Sequence, residues 1–433
     1  MANPRKQSTK NNYRRRNHGR KPQTKSPLTP ARRMAVEVTR EVRQRSAYTR
    51  ELIDSRREES TLEREEFAYA QVLCFGVAMC KGTLDWFIDR NLNSPSDIRD
   101  NVRDCLRISA YELLYLGKPD HVVADQGVEM VRYVASAAAG LGNAVLRKMV
   151  VDAKDFPWPA VGTGLDSFAR LYGVPTWLAS EFIIQHKRKV AASVLAACLA
   201  PAPTYVVDNP YLQGSTFAAD LASQQVAAMV PVDGSVLEIG AGRGTKTMLL
   251  QRRAKLECGW SANIHTVDVH EYKEKLLAER LTAAHVPDVT THSGDACELS
   301  AIKNLPRSFD AVFIDAPCSG TGTLRRHPEI RWSLAPEGVA ELASLQLRML
   351  KEAAGYVRPG GALVYATCSI LRQENQEVVQ AFLASEEGEL FSIEPAQAHF
   401  PEFENAITEE GYFASLPQQD GPDGHFAVCL RRK

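Results

Sequence analysis

The chain has 433 residues, with 52 Lys and Arg, 52 Asp and Glu, and a hydrophobic fraction of 44%. This length is enough for two or three domains that each bury a core, and the composition is that of an ordinary globular protein. No stretch reads as about 18 consecutive apolar residues, and no apolar segment follows the charged N-terminus, so we expect neither a membrane protein nor a secreted one. Nine cysteines are scattered without a CxxC pair. This argues against a disulfide framework or a structural zinc site, and favours a reducing, cytoplasmic setting without a metal.

The charge is unevenly distributed along the chain. Residues 1–33 contain eleven Lys or Arg and no acidic residue, which leaves 41 basic and 52 acidic residues, a formal charge of −11, in the other 400. A basic arm on an acidic body suggests a polyanionic partner, because Lys and Arg release counterions from phosphates. A solubilising tail explains the same charge equally well. We predict that residues 1–31 form a disordered basic tail.

Hydrophobic periodicity divides the remaining chain into three parts. Residues 32–152 carry apolar residues three and four apart, as in FAYAQVLCFGVAM, and predict an all-α domain. Residues 153–205 read as a Pro- and Gly-rich linker followed by a small helical subdomain. In residues 206–433 short β-rich runs alternate with helices, which predicts an α/β domain with a mostly parallel, doubly wound sheet. The last two runs, joined by DGPDG, predict a C-terminal antiparallel hairpin at the sheet edge.

A glycine-rich turn marks a candidate cofactor site. VLEIGAGRGTKT, from Val236 to Thr247, is a buried strand that enters this turn and then a helix. The spacing alone suits a dinucleotide, S-adenosylmethionine or a tight turn without a ligand. Acids at the ends of the next two predicted strands, which can bind ribose hydroxyls and an adenine amino group, favour a nucleoside. The candidate cofactor residues are Gly240, Ala241, Gly242, Arg243, Gly244, Thr245, Lys246, Asp268, Asp295 and Asp315.

Two cysteines follow the fourth and fifth predicted strands, in FIDAPCSGTGTLRRHPEIRW and LVYATCS. In a doubly wound sheet whose order reverses beside its first strand, these two strands are neighbours. Asp315, Cys318 and Cys368 are therefore expected to open onto one crevice beside the cofactor. Cys258 and Cys297 have no chemical context. The other cysteines have the character of core residues, namely Cys74, Cys80, Cys105, Cys198 and Cys429.

DAPCSGTG and ATCS resemble the two active-site motifs of the RNA cytosine-5 methyltransferase family, the Sun/NOL/NOP group, and RQENQEVV (residues 372–379) fits the same family. GLGNAVLRKM (residues 140–149) is similar to the NusB-like RNA-binding domain of the bacterial Fmu/RsmB subgroup, which acts on small-subunit ribosomal RNA. The resemblance covers roughly residues 32–433. It implies a Rossmann-like class I methyltransferase domain, S-adenosyl-L-methionine as cofactor and 16S ribosomal RNA as substrate. The cofactor turn departs from the family pattern, since GAGRGTKT stands where CAAPGGKT is usual.

The resemblance also implies a role for each candidate catalytic residue. Cys368 would add to carbon 6 of cytosine and so activate carbon 5, which is too electron-poor to take a methyl group directly. Cys318 would assist elimination and release. Asp315 would hydrogen-bond or protonate the ring, and Lys246 would orient the base or assist Asp315. A nearby cation, Lys246 or Arg325, is expected to favour the thiolate.

A cytosine inside a duplex hides its carbon 6 face, so the target is expected to be single-stranded, looped or flipped out. TLRRHPEIRW (residues 323–332) interleaves basic groups with an aromatic ring just after the catalytic loop. This combination suits phosphate contact and base stacking, although a solvated loop with a packed Trp is the alternative. The candidate RNA-binding residues are Arg325, Arg326, Arg331 and Trp332.

Other functions were weighed against this one. A non-catalytic RNA-binding or antitermination factor leaves the paired cysteines unexplained, and a methyltransferase acting on tRNA or another RNA fits the same motifs. A zinc-dependent deaminase needs PCxxC, and position 321 is Thr. An amino-group or protein methyltransferase needs no nucleophilic thiol. We expect a monomer with RNA as its partner, and neither a membrane nor a metal.

Overall fold

The computed structural model describes residues 27–45, 47–158, 164–398 and 406–433. Most of the predicted basic tail, residues 1–26, lies outside the described residues. The folded domain begins earlier than residue 32, because the Thr29 amide and the Pro27 carbonyl both hydrogen-bond to the Gln126 side chain. Arg32, counted with the basic residues 1–33, forms a buried ion pair with Glu112 at 2.6 Å inside the helical domain.

Six helices form the N-terminal domain, as the periodicity predicted. Their bounds are α1 Pro30–Arg45, α2 Thr49–Glu59, α3 Arg64–Asp89, α4 Asp100–Leu114, α5 Asp120–Val134 and α6 Ala139–Asp152. Leu73, Leu84 and Leu106 are fully buried in their shared core. By length and composition α3 is apolar enough to cross a membrane, contrary to the expectation from the sequence. Most of its apolar window is buried, however, as in the core helix of a bundle.

Two further helices connect this domain to the sheet, α7 Leu165–Leu171 and α8 Thr176–Ala197. The chain leaves helical geometry inside α8 at Lys187, where φ is 63° and ψ is 154°. On both sides of this break α8 buries apolar residues, including Phe182 and Leu195, in a cluster shared with Ile370 and Leu371.

The C-terminal domain alternates strands and helices in the predicted manner. Its elements are β1 Val206–Asp208, β2 Thr216–Ala218, α9 Leu221–Ala228, β3 Ser235–Ile239, α10 Thr245–Arg253, β4 Asn263–Asp268, α11 Glu271–Ala283, β5 Val289–Ser293, β6 Phe309–Asp315, α12 Ile330–Ser333, α13 Pro336–Ala354, β7 Val357–Thr367, α14 Gln376–Leu383, β8 Phe391–Glu394, β9 Phe413–Ser415 and β10 His425–Arg432. The first two strands form a small antiparallel pair of their own.

The main sheet has the order β5-β4-β3-β6-β7-β10-β8, and β9 also pairs with β10. Strands β3 to β7 are parallel, which confirms the doubly wound fold. The predicted hairpin forms between β9 and β10, with His425 opposite Ser415. It lies at the edge of the main sheet as predicted, since β9 and β8 both pair with β10 on the side away from β7, although β10 itself is an interior strand. Both faces of β10 are apolar and buried, with Val428 in one core cluster and Ala427 in the other, as an interior strand requires.

The strand order reverses beside β3, which has β4 on one side and β6 on the other. The register pairs Ile239 with Ile314 and Asp315 with Ala366, so β3, β6 and β7 end at one edge of the sheet. Ligands of doubly wound sheets bind in the crevice at such a reversal.

Candidate active site

The two cysteines that follow neighbouring strands meet at this edge. Cys318 lies in the loop after β6 and Cys368 directly follows β7, and their Sγ atoms are 3.0 Å apart. The Cys368 amide also donates to the Cys318 sulfur at 3.2 Å. The structure therefore brings together the two sulfur atoms that sequence analysis assigned to one crevice.

Contact between the two sulfurs moves their pKa values in opposite directions. The hydrogen bond from Cys318 lowers the pKa of Cys368, and the charge of Lys246 lowers it further, against the opposing effects of burial and of Asp315. The same hydrogen bond, together with burial, raises the pKa of Cys318 well above that of a free thiol. The arrangement thus favours a thiolate on Cys368 and a protonated Cys318, and the thiolate is the nucleophilic form of cysteine.

Lys246, in the first turn of α10, is the cation beside the sulfurs. Its Nζ lies 2.7 Å from Oδ2 of Asp315, at the end of β6. Burial lowers the pKa of Lys246, but the Asp315 carboxylate outweighs it and the net pKa is raised, so the ammonium stays charged. Arg325, the other cation considered, is directed elsewhere, because its buried guanidinium pairs with Asp423 at 2.6 Å.

A buried carboxylate that the sequence analysis did not single out joins the two cysteine loops. Glu374 is fully buried and accepts from the Ser319 amide at 2.7 Å and from the Ser369 hydroxyl at 2.6 Å. Gln346 donates to the same carboxylate at 3.1 Å. Since Ser319 and Ser369 each follow a cysteine, Glu374 fixes the separation of the two sulfurs. Sequence analysis noted RQENQEVV, which contains Glu374, only as a family-like motif. Nothing in the sequence indicated that this carboxylate would contact both cysteine loops.

Close backbone packing also ties the loops together. The Gly322 amide donates to the Cys368 carbonyl at 2.9 Å. A Cβ atom at Gly322 would lie 2.0 Å from the Gly424 carbonyl oxygen, so only glycine fits here. The second glycine of DAPCSGTG is therefore required by the close approach of Gly424, the residue just before β10.

The glycine-rich turn joins β3 to α10. Gly240, Gly242 and Gly244 have φ values of 85°, 54° and 76°, which side chains rarely adopt. A Cβ atom at Gly240 would lie 2.3 Å from the Asp315 carbonyl oxygen, so the turn packs directly against the end of β6. Ala241 is buried, in a cluster with Leu277.

The remaining turn residues make specific contacts. Thr245 accepts a hydrogen bond from Arg280 at 3.1 Å. Arg243, which replaces the usual proline of the family, forms an exposed ion pair with Glu51 in α2 at 2.9 Å. This residue therefore connects the turn to the helical domain.

Two acids are expected to bind the nucleoside: Asp268, beside this turn, and Asp295, just after β5. Asp268 ends β4 and accepts from the Gly242 amide at 3.3 Å and from the His270 amide at 3.0 Å. Asp295 follows β5 and accepts from the Cys297 amide at 2.8 Å. Each carboxylate is held by backbone amides at the carboxyl edge of the sheet, where a ribose or adenine would approach.

Buried polar atoms without partners test the fit of the predicted cofactor. Glu238, on β3 directly before the turn, is fully buried, and neither carboxylate oxygen has a hydrogen-bond partner among the described residues. Burial raises its pKa to about 7. The Thr247 hydroxyl likewise makes no hydrogen bond of ordinary length with a described residue, but it lies close enough to Glu238 to lower that pKa against the effect of burial. Orphaned acceptors beneath a glycine turn suit a ligand with an ammonium group and hydroxyls, as S-adenosylmethionine has.

Two of the four candidate RNA-binding residues, Arg325 and Arg331, are buried and bond within the protein, which corrects the expectation for them. Arg326 and Trp332 are partly exposed but also bond within the protein. Arg331 is fully buried and donates to the carbonyls of Gly173 at 3.1 Å and Cys198 at 3.3 Å. Trp332 donates to the Ala78 carbonyl of α3 at 3.0 Å. Arg325 and Arg326 both pair with Asp423. This segment joins the catalytic loop to the helical parts of the molecule.

The cysteines assigned to the core are buried there. Burial raises the pKa of Cys74, Cys80 and Cys429 to about 12 and that of Cys198 to about 11, and it also raises the pKa of Cys105. Because a raised pKa keeps a thiol protonated, these cysteines are expected to be unreactive.

Comparison with known proteins agrees with this geometry. Residues 226–431 match the family described as 16S rRNA methyltransferase RsmB/F, and residues 29–151 match the NusB family. The ribosomal RNA small subunit methyltransferase B of Thermus thermophilus is 28% identical over 428 residues, which cover 93% of this chain and 97% of that protein. The protein of the same name from Klebsiella pneumoniae is 28% identical over 394 residues, covering 80% and 88%.

Solved structures share the fold. The crystal structure of PH0851 superposes with a TM-score of 0.71 at 19% identity, covering 94% of this chain and 100% of that one. A methyltransferase homolog from Pyrococcus horikoshii gives a TM-score of 0.50 at 18% identity, covering 63% and 100%. These likenesses show the fold: a Rossmann-like domain that follows a helical one. The chain is therefore a methyltransferase whose residues 226–431 match the RsmB/F family and whose residues 29–151 match the NusB family, with S-adenosylmethionine as its cofactor.

Proposed function

We propose that the protein methylates carbon 5 of a cytosine in small-subunit ribosomal RNA through a covalent adduct with Cys368. The observation that carries the proposal is the 3.0 Å contact between the Cys318 and Cys368 sulfurs, with a lowered pKa on Cys368 and a raised pKa on Cys318. Methylation of an amino group requires no thiol, whereas cytosine carbon 5 requires a nucleophile at carbon 6. Relatives that match almost the whole chain are named for small-subunit ribosomal RNA.

The chain's own residues account for the first step. The Cys368 thiolate forms a bond to carbon 6, and the displaced electron pair passes into the ring. Asp315, once it has taken up a proton from solvent, donates that proton to the ring nitrogen and so limits the negative charge that builds up there. Lys246, 2.7 Å from Asp315, holds that carboxylate in place and also stabilises the thiolate before attack.

Release reverses the addition. S-adenosylmethionine, when bound, supplies the methyl group that carbon 5 accepts. The proton on carbon 5 then leaves to a solvent water molecule, and its electron pair re-forms the ring double bond as the carbon 6–sulfur bond breaks. Cys318, held protonated against Cys368, assists this elimination. Cys368 leaves as a thiolate that the Cys318 hydrogen bond stabilises.

The cofactor is assigned to the turn at residues 240–246 with Asp268 and Asp295. The catalytic residues are Cys368, Cys318, Asp315 and Lys246. The helical domain, residues 30–152 in the structure, is assigned to RNA positioning, and the basic segment before it to added RNA affinity. We place the enzyme in the cytoplasm, where ribosomal RNA is the substrate.

Methylation of defined RNA tests this function. Purified protein, 16S ribosomal RNA and deuterated-methyl S-adenosylmethionine are combined, and the product is read by bisulfite sequencing and nucleoside mass spectrometry. We expect 5-methylcytosine at a defined cytosine, lost in Cys368→Ala and kept in the control Cys258→Ala, which removes a half-buried cysteine far from the sequence motifs. A label on a base amino group, or full activity of Cys368→Ala, would overturn the proposal. Methylation of tRNA alone would keep the chemistry and reject the substrate.

A further inference from the structure

The break inside α8 is at Lys187. This residue is the first of three consecutive basic residues, Lys187, Arg188 and Lys189, which we term the basic turn. Lys187 has φ 63° and ψ 154°, a conformation that non-glycine residues seldom adopt. All three side chains are exposed to solvent. A basic residue therefore occupies a backbone position that glycine would adopt more easily, at the surface of the protein.

Charge around the basic turn is predominantly positive. Lys187 and Lys189 form no ion pair with any described residue, and Arg188 lies over the Phe168 ring at 4.7 Å. Arg372 is exposed nearby, close enough to lower the pKa of His186, whose burial has the larger effect in the same direction. Of the nearby acids, Glu181 bonds to the amides of Gln185 and Gln373, and Glu410 lies within electrostatic range of Arg372.

The basic turn is fixed to the segment that follows the nucleophile. Gln185 accepts from the Arg372 amide at 3.1 Å and donates to the Gln373 side chain at 2.9 Å. Arg372 is four residues after Cys368, so the extended chain between them spans at most about 14 Å. Arg372 therefore lies within about 14 Å of Cys368, and the basic turn begins two residues after Gln185, which binds the Arg372 amide.

We propose that the basic turn, together with Arg372, binds the phosphate backbone of the substrate RNA next to the target cytosine. This inference rests on the proposed function. A flipped or single-stranded nucleotide presents its phosphates beside the base that enters the crevice, and cations along that path hold the strand without reading its sequence. The basic turn takes the role that sequence analysis gave to the residues after the catalytic loop, whose guanidinium groups pair within the protein.

Salt dependence of RNA binding tests the proposal. In full-length protein the variant Lys187→Gln/Arg188→Gln/Lys189→Gln is compared with Lys255→Gln/Lys275→Gln/Lys303→Gln, which removes three exposed cations outside the crevice. Each phosphate contact on a single strand contributes about 0.7 to the slope of log affinity against log salt. We expect the basic-turn variant to lose about 2 units of slope and at least about tenfold in RNA affinity near physiological salt. The control variant should keep both the wild-type slope and the wild-type kcat.

A second variant guards against a folding defect, since Arg188 packs on Phe168. Lys187→Gln/Lys189→Gln leaves that contact intact and is expected to lose about 1.4 units of slope. Slopes and affinities equal to wild type in both variants would overturn the inference while methylation by the wild type still supports the function. Failure of the wild type to methylate cytosine carbon 5 would instead reject the proposed function itself.

Discussion

Glu374 accepts a hydrogen bond from the hydroxyl of Ser369, the residue after Cys368, at 2.6 Å. The same buried carboxylate accepts from the Ser319 amide, which follows Cys318. The distance between the two sulfurs thus depends on a side chain that touches neither of them. Glu374 is a positioning residue, and its contribution can be separated from that of the cysteines.

Glu374→Gln should lower kcat with little change in the KM for RNA. The amide replaces one acceptor oxygen with a donor, which leaves buried donors unpaired at a cost of about 1–3 kcal/mol, or about ten- to hundredfold in rate if it falls on the cysteine geometry. Steady-state kinetics on 16S RNA measure the split. Glu377→Gln, an exposed position on the next helix turn, is the control, and an equal loss in both variants would contradict a positioning role.

Lys246→Met should shift the reactivity of Cys368 to higher pH. Lys246 lowers the pKa of Cys368, and its removal also leaves Asp315 unpaired, which raises that pKa further. Because the thiolate predominates only above the pKa, the pH at which the alkylation rate rises should be higher in the variant. Iodoacetamide labelling followed by peptide mass spectrometry measures it, with Lys255→Met as the control. Wild-type protein should label at Cys368 before Cys318, and the reverse order would refute the assignment.

Glu238→Gln should stabilise the cofactor-free protein at alkaline pH. Burial raises the pKa of Glu238 in the folded state to about 7, above its ordinary 4.5. The folded state therefore binds the proton more tightly, so wild-type stability falls as pH rises from about 4.5 to about 7 and then levels off. Thermal melts should show a higher Tm for the variant at pH 8 and a smaller difference at pH 5. A difference that is independent of pH would count against the raised pKa.

Arg331→Met should loosen the contact between the helical parts and the catalytic loop. The buried guanidinium donates to the carbonyls of Gly173 and Cys198, and hydrogen bonds from a charged donor are each worth about 1.5–3 kcal/mol. We expect a lower Tm and faster proteolysis between the domains. Arg40→Met, at an exposed position on α1, should leave both unchanged. Wild-type melting of Arg331→Met would show that this contact contributes little.

Much of the fold was readable from the sequence because each segment kept one hydrophobic period. The five parallel strands and the reversal beside β3 were predicted from the alternation of strands and helices. This topology places Cys318 and Cys368 just after two neighbouring strands. The hairpin was also predicted at the sheet edge, but the interior position of β10 was not, because hydrophobic alternation alone does not identify the neighbours of a strand.

The residues after the catalytic loop show why the rest was not readable. Arg331 and Trp332 form the same basic and aromatic pattern whether they face RNA or a second domain. Only the packing of α3 and α8 around them decides between the two. The role of Glu374 was hidden for a similar reason, since its partners come from two loops that the sheet brings together. The sequence shows the basic turn only as three adjacent cations. Its connection to the segment after Cys368 depends on the contact between Gln185 and Arg372.

The central claim is that Cys368 bonds covalently to the target cytosine while Cys318 releases it. Incubation of Cys318→Ala with 16S RNA and S-adenosylmethionine, followed by a denaturing gel and peptide mass spectrometry, tests it most directly. The account predicts a slow-migrating RNA-linked protein with the nucleotide attached at Cys368, absent from the Cys318→Ala/Cys368→Ala double variant. Normal methylation by Cys318→Ala with no linked species, or a linkage at another residue, would contradict it.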